Sequence, residues 1–252
     1  MANTHLLFNT NRGDIKLLQL AILFAELDQL SHEKSVDIGT QSKILVQEVK
    51  PSADIPIVIC GDFNSQPFSP LYSFVTRGVI QYAGMSRTAI SGQNKPKFFY
   101  KNSLLLQKDL IPRELQMTDC CQWIRCHDNS ASNNETEEHG ENPHWLCVAK
   151  NSSSLRHGFD LSSVYRHYLP DRQPEVTTWH NLASCTVDYI FYSQSKNRDN
   201  SIMHGNGHAQ LKLTGMLKLL GKNQLGDSVG LPNKFLSSDH FALAASFVLK
   251  HP

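Results

Sequence analysis

Four short stretches set acids, amides and imidazoles at spacings that could do chemistry. In G-D-F-N, residues 61–64, Asp62 and Asn64 stand two positions apart at the end of the apolar run I-V-I-C. While a chain stays extended, alternate side chains share a face, so both would look into one space and Phe63 into packing. A carboxylate there can orient a water and an amide can hydrogen-bond a phosphoryl oxygen. Asp and Asn after Gly are also ordinary turn formers. In S-S-D-H, residues 237–240, Asp239 beside His240 suits a divalent-metal ligand next to a phosphate-binding or proton-donating imidazole, or else a turn entering a strand.

The third stretch is T-V-D-Y-I-F-Y-S, residues 186–193, where Asp188 is the only charge in an apolar strand. A carboxylate buried there needs a partner, and pairing with His240 would orient the ring and favour its protonated form. Water at a sheet edge would satisfy Asp188 equally. The fourth is N-T-H, in which Asn3 and His5 share a strand face and both could reach one site, although a lone strand histidine is commonly a satisfied packing residue.

The elements that must position these residues alternate. A strand is expected over residues 3–8, then a turn with Gly13, and a broadly apolar helix from Ile15 to Leu30 that Asp14 can cap. Ile55–Cys60, between Pro51 and Gly61, has the continuous apolar pattern of a strand covered on both faces. Ser69-Pro70 starts a second helix that stops at Gly78. A helix near Leu161–Tyr168, a strand at Thr186–Tyr192 and a last strand from Phe241 to Leu249 follow. Residues 128–142 are polar and acidic, the composition of an exposed loop. This order predicts a layered α/β or α+β enzyme architecture, with no internal repeat.

Bulk properties exclude several classes. The 252 residues, 40% apolar, suffice for a sizeable core, and a net charge of +1 leaves no overall field for nucleic acid, so any such contact needs a local groove. The run from Leu17 to Leu30 is too short and too polar to span a bilayer, and the N-terminus lacks the pattern of a secretory signal. The N-x-S/T matches at Asn134 and Asn151 are then chance occurrences. Six cysteines at irregular spacing suit a reducing, cytoplasmic setting.

Taken in order, N-T-H-L, G-D-F-N-S-x-P, D-Y-I-F-Y-S and S-S-D-H-F resemble the second half of an endonuclease/exonuclease/phosphatase domain. N-R-G-D-I-K-L-L-Q-L-A, S-P-L-Y-S-F and T-D-C-C-Q-W narrow the resemblance to the Angel proteins, relatives of the CCR4-type deadenylases, over nearly the whole chain. The resemblance implies part of a four-layered α/β sandwich covering residues 1–252. It implies a Mg²⁺-dependent phosphoesterase acting on RNA, at 2′,3′-cyclic phosphate ends or a 3′ tail, with no DNA specificity. Carried over, Asp62 orients the attacking water, Asn64 contacts the scissile phosphate and Asp239 helps hold Mg²⁺. His240, held by Asp188, binds phosphate or assists the leaving oxygen, and His5 adds a phosphate contact. Family members carry a metal-binding glutamate ahead of the N-T-H strand, where this sequence starts, so the expectation is a partial domain with an incomplete metal cage.

Two weaker signals remain. Cys121, Cys126, His127, His144 and Cys147 could be arranged around zinc, but the spacing fits no common finger and small buried or free cysteines are expected. Tyr100 to Leu106 fits the Y-x-x-x-x-L-Φ pattern that docks on translation initiation factor 4E, and this supports an alternative reading as a non-catalytic interaction module in mRNA metabolism. Core packing explains the same residues.

Overall fold

A computed structural model describes residues 1–36, 55–93, 104–107, 110–124, 153–180, 183–194, 210–225 and 230–250. The chain opens with β1 (Ala2–His5) and the long helix α1 (Gly13–Val36), followed by β2 (Val58–Asp62), α2 (Pro70–Arg77), β3 (Val79–Gln81) and α3 (Arg87–Ser91). Then come β4 (Ser154–Arg156), β5 (Leu161–Ser163), β6 (Glu175–Val176), β7 (Thr178–His180), β8 (Ala183–Cys185) and β9 (Asp188–Ser193). Strands β10 (Gln210–Met216), β11 (Leu220–Gly221) and β12 (Ala245–Lys250) complete the order.

The main sheet runs β1-β2-β9-β5, with β1 and β2 parallel and β9 antiparallel to both β2 and β5. Strand β9 shows why an all-apolar strand was needed. Tyr189 and Phe191 point into one core with Leu17, Leu20, Phe24, Leu71 and Phe74 of the helices, while Ile190 and Tyr192 point into a second core with Val164, Tyr165 and Leu219. The antiparallel ribbon β10–β12 covers that second face with Leu211, Leu213 and Phe247. The sheet is thus packed on both sides, the condition under which the alternation of polar and apolar residues disappears.

Helix α2 matches its sequence signals residue for residue. The Ser69 hydroxyl accepts the Tyr72 N–H at 3.1 Å, Pro70 opens the first turn, and Gly78 closes the helix in the left-handed region at φ 76°. Helix α1 begins and ends beyond the expected bounds, and two short elements, β3 and α3, arise where no element was expected.

One element differs in type. Residues 161–163 form an edge strand, pairing Leu161 with Ser193 and Ser163 with Phe191, where a helix near Leu161–Tyr168 is expected. The apolar residues Leu161, Val164 and Tyr165 mimic a helical stripe, yet Leu161 packs into the first core and Val164 and Tyr165 into the second. One helical face cannot serve both sides of a sheet, and pairing with β9 satisfies the backbone instead.

Residues 128–142 lie outside the described residues, as do Cys126, His127, His144, Cys147 and Tyr100–Ser103. Of the zinc candidates, Cys121 is buried and free, as expected, and burial pushes its thiol far up; its neighbour Cys120, outside that set, is in a disulfide. Leu104 and Leu105 are exposed and Leu106 is buried in extended chain, its N–H donated to the Met85 carbonyl at 2.8 Å. Among the described residues, no helix is long and apolar enough to cross a membrane.

Candidate active site

Strand register assembles the site. His5 of β1 sits opposite Asp62 of β2, and Asp62 sits opposite Asp188 of β9, so three chemistry-bearing residues stand in one row across neighbouring strands. The glycine before Asp62 is required by that pairing. Gly61 has φ 145°, and a Cβ there would lie 1.8 Å from the Thr4 carbonyl oxygen of β1.

After Asp62 the chain turns. Asn64 takes a left-handed conformation at φ 45°, and its N–H is donated to Asp62 Oδ1 at 2.7 Å. Its side-chain amide is donated to the Leu6 carbonyl at 2.9 Å and lies 3.3 Å from Asp62 Oδ2. Asp62 and Asn64 therefore meet through a turn and not by sharing the face of an extended strand. Asn64 is buried, and its amide group is engaged within the chain. In this arrangement Asn64 also holds Asp62.

His240 arrives from the segment before β12. It bridges Thr178 of β7, and the flanking backbone is tied in by Trp179 N–H to the Asp239 carbonyl at 3.0 Å and Phe241 N–H to the Thr177 carbonyl at 2.7 Å. Its Nδ1 lies 2.8 Å from Asp188 Oδ2, the pairing anticipated from the lone acid in an apolar strand. Thr177, fully buried, was not anticipated. Its hydroxyl accepts the N–H groups of Val187 and Asp188 at 3.0 and 3.1 Å, which fixes the start of β9. No spacing rule marks that hydroxyl in the sequence.

The electrostatics follow from half-burial. Burial opposes charge on the His240 ring, but the hydrogen bond and charge of Asp188, with Asp62 and Asp239 nearby, prevail and raise its pKa above 6.5. Burial raises Asp188 above the ordinary carboxylate value, against the hydrogen bonds of Thr177 and His240. His5 stands at the rim, its side chain 73% exposed and its Nε2 3.4 Å from Asp62 Oδ2.

Among the described residues, Asp62, Asp188 and His240 bring ligand-capable atoms within 4.8 Å of one another. Asp239, the expected metal ligand, is not in that group; its backbone carbonyl accepts the Trp179 N–H and the Thr178 hydroxyl. Asp188 and His240 are taken up with each other, so Asp62 is the carboxylate of this group that suits a hard divalent cation, which takes its remaining ligands from water and substrate. A hollow of about 230 Å³, lined by Cys60, Asp62, Asp188, Ile190, Phe241 and Leu243, opens beside the row.

No family model matches the chain. Protein angel homolog 2 of Mus musculus is 39% identical over 99% of this chain, which spans 44% of that protein. Protein angel homolog 1 of Homo sapiens is 34% identical over 98% of the chain, which spans 41% of it. The crystal structure of ANGEL2, a 2′,3′-cyclic phosphatase, in complex with adenosine-2′,3′-vanadate superposes with a TM-score of 0.68 at 38% identity, covering 98% of this chain and 56% of that one. The chain thus spans about half the length of the relatives it matches. Over that shared length, in sequence and in α/β fold, it belongs to the Angel branch of the endonuclease/exonuclease/phosphatase superfamily.

Proposed function

We propose that this protein hydrolyses phosphoesters at RNA ends, with a terminal 2′,3′-cyclic phosphate as substrate. The observation that carries this reading is the row His5–Asp62–Asp188 with His240 bonded to Asp188. A relative whose structure holds adenosine-2′,3′-vanadate is described as a 2′,3′-cyclic phosphatase, and the present residues suit the same bond.

In the proposed reaction a water attacks phosphorus, one ring P–O bond breaks, and the released ribose oxygen takes a proton. Asp62, fixed by two hydrogen bonds from Asn64, aims the water. His240 in its charged form, favoured by Asp188, donates the proton to the leaving oxygen, and the water's proton passes to the site in exchange. His5 at the exposed rim is placed to meet the phosphate's outer oxygens. Mg²⁺, held by Asp62 with Asp239 contributing from the adjacent segment, would supply neutralisation of charge on the phosphoryl oxygens. The site's Asp188 is committed to His240.

The test is an RNA oligonucleotide with a 2′,3′-cyclic phosphate end, incubated with the full-length protein and Mg²⁺. Ring opening that disappears with Asp62→Ala supports the reading. Turnover equal to that of the Asp62→Ala variant rejects it.

A further inference from the structure

The run G-D-I-K at the start of α1 carries a lysine whose surroundings are unlike those of a surface charge. Lys16 is fully buried. Its Nζ donates to the Asn64 carbonyl at 2.6 Å, the Ser91 hydroxyl at 2.8 Å and the Ser91 carbonyl at 3.3 Å. The three N–H groups of one ammonium therefore meet three oxygens. Asp14, two residues away, pairs with Arg12 and Arg87, and among the described residues no carboxylate forms an ion pair with Lys16.

The packing that permits this is close. Gly13 has no room for a side chain, since a Cβ would lie 2.2 Å from the Arg87 carbonyl oxygen and 2.5 Å from the Ser91 nitrogen. The first turn of α1 thus lies against the end of α3, and Lys16 satisfies the last carbonyl of that helix, a position that favours a cation. An unpaired ammonium is nevertheless a costly buried group, and replacing buried charge by apolar bulk is often neutral or stabilising. Burial lowers the Lys16 pKa to about 8, with the Asp62 charge acting the other way.

We infer that Lys16 is a positioning residue for the proposed hydrolysis: it grips the Asn64 carbonyl and so keeps Asn64, and through it the Asp62 carboxylate, in the geometry that aims the water. Asn64 is then tethered at three points, its N–H on Asp62, its amide on Leu6 and its carbonyl on Lys16. Three tethers suit a residue held at φ 45°, where backbone alone would not keep it. The opposite side of the same turn is closed by the Tyr189 hydroxyl, donated to the Ser65 carbonyl at 2.7 Å. This inference rests on reading the Asp62 row as hydrolytic.

The experiment is Lys16→Met in the full-length protein, which keeps the bulk and removes the donors. The expected result is a fall in kcat of roughly 10- to 100-fold with KM within about twofold, and a modestly lowered melting temperature, since three oxygens lose their donor. Hydrogen exchange should show the Asn64 amide losing protection while the interior amides of α1 keep theirs. If Lys16→Met does not fold, Ser91→Ala removes one of the three acceptors, and a severalfold loss of kcat at constant KM is expected. Unchanged kcat in the folded variant overturns the inference, and so does a kcat loss accompanied by general loss of amide protection, which would assign the lysine to the fold. Should the unaltered protein not open the cyclic phosphate, the functional reading fails, and Asn64 exchange alone still decides whether Lys16 holds the turn.

Discussion

The Nδ1 atom of His240 lies 2.8 Å from Oδ2 of Asp188, joining the segment before the last strand to the first residue of β9. Fifty-two positions separate the two residues in sequence. The bond decides the tautomer and charge of the ring, because a carboxylate that accepts from Nδ1 stabilises the imidazolium.

Asp188→Asn should therefore shift the pH profile. The folded pKa of His240 is raised above 6.5, so the pair's contribution to stability is full below about 6.5 and is lost as pH rises through the folded value. Without the carboxylate the ring loses its proton at lower pH. The alkaline limb of kcat should move to lower pH in the variant, and stability should lose most of its pH dependence across that window. A superimposable pH–rate profile would show that His240 is not the proton donor.

Asp62→Asn should leave the fold intact and abolish turnover. The side chain keeps its shape and its oxygen for the Asn64 N–H, while the charge proposed to aim the water is gone. A loss of about 10²–10⁴ in kcat is expected, measured beside an unchanged circular dichroism spectrum.

Substitutions at Asn64 separate backbone from side chain. Asn64→Ala loses the bond to the Leu6 carbonyl and places a Cβ residue at φ 45°, and together these should cost about 2–4 kcal/mol. Asn64→Gly keeps the conformation without strain and should cost about 1 kcal/mol less than alanine. Equal unfolding midpoints in urea for the two variants would contradict the left-handed assignment.

Gly61→Ala has no room. With the Thr4 carbonyl 1.8 Å from the new Cβ, β1 and β2 must part, at about 3–5 kcal/mol. The measurement is chemical denaturation, and the variant should also lose activity because His5 leaves its place opposite Asp62.

Mg²⁺ should raise the melting temperature of the folded protein and Asp62→Ala should weaken that shift, since an ion that binds only the native state stabilises by mass action. A chelator should stop turnover, and added Mg²⁺ should restore it. A melt indifferent to the ion would separate the Asp62 row from metal chemistry.

Much of the site was legible because its residues sit at the ends of recognisable strands. Asp62 closes β2, Asp188 opens β9, and the need of a lone acid for a partner pointed to His240. Of the two readings open for Asp62 and Asn64, extended chain and turn, the structure takes the turn, because a side-chain carboxylate can capture a backbone N–H two residues on, an option that alternation rules ignore. Thr177 and Lys16 act by hydrogen bonds to backbone atoms far away in sequence, and no local pattern records such distant acceptors. The edge strand β5 was taken for a helix because its apolar spacing fits both periods, and only the neighbouring strand decides between them.

With the proposed hydrolysis, the row of His5, Asp62 and Asp188 would make catalysis a gauge of strand alignment. A slip of β1 by one residue against β2 would turn His5 to the opposite side of the sheet, where the helices pack, and bring Thr4 or Leu6 into its place opposite Asp62. A misaligned molecule would keep its helices and much of its circular dichroism yet be silent towards substrate. The specific activity of a refolded sample would then count the molecules whose first strand has docked in step.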